Sequence, residues 1–190
     1  QVGEETGIKE ESTDEKIEDF SQEAVSPLVD SIIEKDEKNI VAMKVLDTEK
    51  ELFLKDHSIM NTPVIPGVMG METFAEVAKA LRPELDVIGM KDVRFMKAVN
   101  VKDRHEIRIE GRIQDDDELE KIVEMKLTSK DPKSGKEVAH FTGNVILGSS
   151  EDVCRIQEGH PLRPDSVKAE VLRDEIYQHL FHGQLFQVTA

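Results

Sequence analysis

Residues 67–81 (GVMGMETFAEVAKAL) constrain the fold more than any other stretch of this 190-residue chain. Val68, Met71, Phe74, Ala75, Val77, Ala78 and Leu81 recur at helical spacing and leave apolar surface on most sides of one helix. Glu72, Thr73, Glu76 and Lys79 form its only polar stripe. Pro66 suits the start, since its φ is preset and its missing N–H would be unpaired there anyway. Arg82-Pro83 ends the pattern. A helix with so little polar surface is buried against a sheet.

Candidates for that sheet lie on both sides. Residues 40–46 (IVAMKVL) put Val41, Met43 and Val45 on one face, and 52–54 add a short apolar piece. In 86–99, Val93 and Phe95 alternate against Arg94; in 105–113, Ile107, Ile109 and Ile113 alternate with Arg108, Glu110 and Arg112. After a turn at Asp115-Asp116-Asp117, residues 119–127 place Leu119, Val123, Met125 and Leu127 together. A second turn, 131–135 (DPKSG), leads into 137–147. Such alternation means an antiparallel sheet with one covered face. The order predicts an α+β fold, a long central helix wrapped by a curved antiparallel sheet with a helix on one face only.

Composition excludes several classes. No apolar run approaches the length needed to span a bilayer, and no signal-peptide pattern is present. The net charge of −15 argues against nucleic acid and against anionic membrane surfaces. A single cysteine, Cys154, excludes an internal disulfide and fits a reducing cytoplasm. Scattered histidines offer no metal-ligand spacing, so no metal site is expected. Residues 1–22 are acidic and read as a disordered linker; 23–150 hold the domain; 151–169 are turn-rich and read as a second linker. Residues 170–190 turn apolar again, as though a further element were cut short.

The chemistry centres on His57, in a short polar connection nine residues before Pro66-Gly67. Helix-start N–H groups bind carbonyl oxygens or anions, and Gly67 allows close approach. An imidazole beside such donors is equipped to abstract a proton next to a carbonyl. From these residues alone, a surface or capping histidine is the simpler reading. His105 and His140 fall in strand patterns and read as structural or solvent-exposed; Met60, Met69 and Met71 read as packing.

Several of these pieces occur together in one known family. His57 and Pro66 match its pattern of His, three residues, Gly, four residues, Pro, with Asn61 standing where Gly is usual. Asp56-His57 after an apolar piece, Pro66-Gly67 opening the helix, Glu72 within it and 89–98 (GMKDVRFMKA) agree. Residues 181–187 (FHGQLFQ) resemble the start of a second unit, with Gln184 in place of Pro. Residues 26–147 thus resemble the N-terminal half of the dehydratase domain of polyketide synthases and polyunsaturated-fatty-acid synthases, a double hot-dog fold.

The resemblance implies a lyase of polyketide or fatty-acid biosynthesis that eliminates water from 3-hydroxyacyl-acyl-carrier-protein to give the 2-enoyl product. It makes His57 the general base and lets the Pro66-Gly67 helix start hold the thioester carbonyl through its backbone N–H groups, from Gly67 onward. It implies no cofactor beyond the carrier's phosphopantetheine. Its partners would be acyl carrier protein, neighbouring synthase domains and a paired hot dog, as a homodimer. Its second catalytic residue, an Asp of the second hot dog, is expected beyond Ala190. One rival is a self-sufficient homodimer of single hot dogs using His57 with Glu72 across the interface; against it, Glu72 shares a polar stripe with Glu76 and Lys79. A second is a non-catalytic acyl-binding or scaffolding module. A thioesterase fits less well, because on this fold that chemistry usually rests on a carboxylate.

Overall fold

The computed structural model describes residues 24–116 and 121–149. The segments 1–22, 151–169 and 170–190, with Cys154 and the 181–187 motif, lie outside the described residues. The order is β1 (Ser31–Lys35), β2 (Asn39–Asp47), α1 (Leu52–Lys55), β3 (Ser58–Ile59), β4 (Thr62–Pro63), α2 (Gly67–Leu81), β5 (Asp86–Phe95), β6 (Arg104–Asp116), β7 (Lys121–Lys130) and β8 (Glu137–Gly148). Six strands form one sheet in the order β1-β2-β6-β7-β8-β5, every neighbouring pair antiparallel. The tiny β3–β4 hairpin stands apart.

The sheet curves around α2, which touches β2, β5, β6, β7 and β8. Its inner face follows the alternation read for β6 and β7, with Ile107, Ile109 and Ile113 and Val123, Met125 and Leu127 buried, and Phe141, Val145 and Leu147 of β8 join them. In β2 the core takes Ile40, Ala42 and Leu46 rather than the Val41, Met43 and Val45 face. Phe74, Val77, Ala78 and Leu81 of α2 close the core from above. Each large side chain fully buried here contributes roughly 1.5–3 kcal/mol. The opposite face carries Arg108–Glu110 and Lys126–Glu137 ion pairs at 2.8 and 2.6 Å. Charge on one face and aliphatics on the other fix the register, since a one-residue slip would invert every strand.

Several expectations need correction. The 52–54 piece is a helical turn, α1, rather than strand, and the sheet has a further strand, β1, ahead of residues 40–46. β5 stops at Phe95, so Val99 leaves the ladder. β7 begins at Lys121; Leu119 falls outside the described residues. The polar stripe of α2 is not one solvated edge. Thr73 is buried and donates to the Met69 carbonyl at 2.8 Å, while Glu76 accepts from Ser26 Oγ at 2.5 Å and the Leu28 N–H at 2.8 Å. Lys79 donates to the Leu85 carbonyl and to Asp86. Only Glu72 of the four is exposed.

Candidate active site

His57 follows α1, and α1 is pinned at its start. The Glu51 N–H donates to Asp47 O at 2.8 Å, and Leu54 is wholly buried. The Glu51 carboxylate meets Lys44 Nζ at 2.8 Å, and the same ammonium reaches Asp30 Oδ1 at 3.0 Å and the Pro27 carbonyl at 3.2 Å. Burial alone would lower the Lys44 pKa, but hydrogen bonds and charge from Glu51 and Asp30 outweigh it and raise the value. Lys44 thus ties β2, the chain before β1 and the start of α1 together.

His57 itself is 9% exposed, and its Nδ1 lies 2.8 Å from the Val64 carbonyl oxygen. A carbonyl can only accept, so Nδ1 carries the proton and the lone pair of the neutral ring sits on Nε2. The backbone returns the contact, with the Val64 N–H donating to the His57 carbonyl at 2.9 Å. Between the two residues runs the β3–β4 hairpin, whose two-residue tip, Met60-Asn61, has φ of 49° and 60°. Positive φ at both tip residues is the turn that matches strand twist, and Asn tolerates it better than other side chains. Asn61 thus holds a positive φ at this tip without a glycine. Met60 sits in the same region with an apolar side chain 95% exposed.

Two residues after Val64, Pro66 is the N-cap of α2 rather than a residue of its first turn. Its carbonyl accepts from the Met69 and Gly70 N–H groups at 3.0 and 3.2 Å, and no side chain caps the helix. The N–H groups of Gly67 and Val68 stand ahead of the first intrahelical bonds, where oriented donors collect. The Phe95 ring covers Gly67: a Cβ there would lie 2.9 Å from Phe95 Cζ. One turn on, a Cβ at Gly70 would collide with the Phe141 ring. Phe95 and Phe141 meet edge to face, with centroids 5.1 Å apart. The two glycines let the helix start descend onto this aromatic pair; Gly70 was not singled out from sequence, although its period from Gly67 is one helical turn.

Glu72 lies elsewhere. It lines a groove of about 410 Å³ with Val68, Met71 and residues 87–90 of β5, and His57 is not among the residues of that groove. Among the described residues no cluster of His, Cys, Asp or Glu could hold a metal ion.

Against known proteins, residues 26–130 match the family model of the polyketide synthase dehydratase domain. No curated protein matches the chain. The dehydratase domain of the CurF module of the curacin polyketide synthase superposes with a TM-score of 0.64 at 14% identity, over 85% of this chain and 59% of that one. A trans-AT polyketide synthase dehydratase domain from Brevibacillus brevis gives 0.56 at 20% identity, over 66% and 46%. The GphF dehydratase 1 gives 0.61 at 17%, over 85% and 56%. The chain spans about half the length of these structures, which at such identities speak to the fold. With more than half its residues in the family model and a hot-dog sheet around one helix, the chain belongs to the polyketide synthase dehydratase domain family.

Proposed function

We propose that this hot-dog unit carries the base of a dehydratase that removes water from a 3-hydroxyacyl thioester on acyl carrier protein. The observation that carries the reading is the His57–Val64 contact, which sets Nδ1 as donor and Nε2 as the basic nitrogen, with Val64 itself three residues before a helix start that no side chain caps. Nε2 takes the proton α to the thioester carbonyl, and the Gly67 and Val68 N–H groups receive the charge that develops on the carbonyl oxygen. The 3-hydroxyl leaves as water when protonated, and we assign that acid to the second hot-dog unit of a synthase dehydratase. No cofactor takes part beyond the carrier's phosphopantetheine, and the reaction belongs in the cytoplasm.

The homodimer reading rests on the exposure of Glu72 beside β5, which pairs with β8 alone among the described strands. A second copy there would offer Glu72 as the acid. Mass-spectrometric dehydration of a 3-hydroxyacyl-carrier-protein separates the two. Under the first reading His57→Ala abolishes water loss and Glu72→Gln leaves it unchanged. Loss of turnover in Glu72→Gln moves the acid to α2 and the assembly to a homodimer. Full turnover in His57→Ala removes both readings.

A further inference from the structure

His140 takes no part in this chemistry, yet the fold treats it as a special position. It is the extra residue of a bulge in the β7–β8 ladder, where Leu127 pairs with Phe141 and Thr128 with Ala139. A bulge re-aims a side chain, and here the ring turns into the interior and is buried. Nδ1 lies 3.1 Å from the Lys97 carbonyl and Nε2 2.9 Å from Ser129 Oγ. Because the carbonyl only accepts, Nδ1 donates and Nε2 accepts the serine hydroxyl proton. Burial favours this neutral ring, as does the charge of neighbouring His105 and Lys97, against the pull of the Lys97 and Ala98 carbonyls. The backbone of the same residue is also engaged, its carbonyl accepting from the Met96 and Lys97 N–H groups at 2.8 and 3.3 Å.

What His140 grips is the segment 96–101, and the His57 loop hangs from that segment. The Ile65 N–H donates to the Val99 carbonyl at 3.2 Å, the Val101 N–H donates to the Pro63 carbonyl at 2.8 Å, and Val64 bridges Asn100 between them. Val99 and Val101 are wholly buried and cannot shift without opening the core. Val64 in turn supplies the carbonyl that holds His57 Nδ1. An apolar side chain would fill the His140 site without the cost of burying an imidazole. What the imidazole adds is the bond to Lys97 on one side and the bond from Ser129 on the other, and only the first reaches the 96–101 segment.

The geometry points to His140 as a positioning residue for His57: ring and carbonyl together hold the 96–101 strap, and the strap sets the Val64 carbonyl that selects the tautomer of His57. This rests on His57 being the base, but its test does not need turnover. In the 190-residue chain with 15N-labelled histidine, NMR reads the His57 tautomer, and hydrogen exchange reads the Val64, Ile65 and Val101 amides. His140→Leu is expected to mix the His57 tautomers and speed exchange at those three amides at least tenfold, while Gly111 and Val123 in the β6–β7 ladder stay protected. His140→Asn, whose amide N–H replaces the Nδ1 donor, restores a single tautomer, and Ser129→Ala leaves it unchanged.

A single tautomer and unchanged exchange in His140→Leu overturn the proposal. So does a Ser129→Ala effect as large as that of His140→Leu, which would make the coupling general packing. If His140→Leu fails to fold, His140→Asn and Ser129→Ala decide alone: mixed tautomers in either, with the β6–β7 ladder intact, overturn it. In a dehydration assay with the second hot-dog unit present, the same His140→Leu change lowers kcat about tenfold with KM unaltered. No turnover by the unsubstituted protein in that assay would count against the proposed reaction and leave the tautomer result standing.

Discussion

The glycine at position 70 offers the sharpest test of how α2 meets the sheet. Its missing Cβ would fall inside 3.0 Å of two carbons of the Phe141 ring. That ring is buried and held edge to face by Phe95, so it has nowhere to swing. Over-packing of this kind costs about 1–3 kcal/mol. Against it, alanine gains roughly 0.8–1 kcal/mol of helix propensity over glycine. The balance for Gly70→Ala is a net destabilisation of up to about 2 kcal/mol, read as a lower urea midpoint at constant slope. Phe141→Leu in the Gly70→Ala background should recover part of the loss, a coupling that a double-mutant cycle isolates. Equal or higher stability of Gly70→Ala would refute the claim that the glycine exists to admit the ring.

Met60→Gly relieves a left-handed backbone at an exposed hairpin tip; the relief of roughly 1–2 kcal/mol is partly offset by glycine's unfolded-state entropy, leaving a gain of about 0.5 kcal/mol in chemical denaturation. Lys44→Met strands the Glu51 carboxylate, whose side chain is 16% exposed, and should destabilise by about 2 kcal/mol in the same assay. That figure sits below the usual loss for a broken buried pair because Asp30 is 37% exposed. Acid weakens the fold in a defined window. The His105 and His140 pKa values are both lowered, chiefly by burial, so the unfolded chain binds protons first. Their contribution is complete above about pH 6.5 and is lost as pH falls through the lowered folded-state values. Urea midpoints at pH 7.5 and 5.5 should therefore differ more in the native chain than in His140→Asn, the two pH values being chosen to lie about 1 unit either side of an ordinary histidine.

Much of this architecture is legible in the residues. The span of α2 is readable to the residue because Pro66 and Arg82-Pro83 bracket an unbroken apolar period, and the faces of β6, β7 and β8 follow from strict alternation. What escapes is whatever depends on partners far along the chain. Glu76 looks like surface until the 26–28 segment comes to meet it. Leu52-Phe53-Leu54 suits a strand by composition but forms a helical turn, because Lys44 holds Glu51 at its start. β1 is only five residues with two apolar ones, too short to show a period. For the site, His57 and the helix start are visible as spacing. The Val64 carbonyl that decides the tautomer is not, since a backbone acceptor leaves no mark in a sequence.

The proposed removal of the proton α to a thioester carbonyl by His57 Nε2 is read out by water loss from a 3-hydroxyacyl-carrier-protein. With the acid-bearing second hot-dog unit present, conversion to the 2-enoyl thioester is expected with His57 in place and none with His57→Ala. Equal conversion by both proteins would rule His57 out as the base.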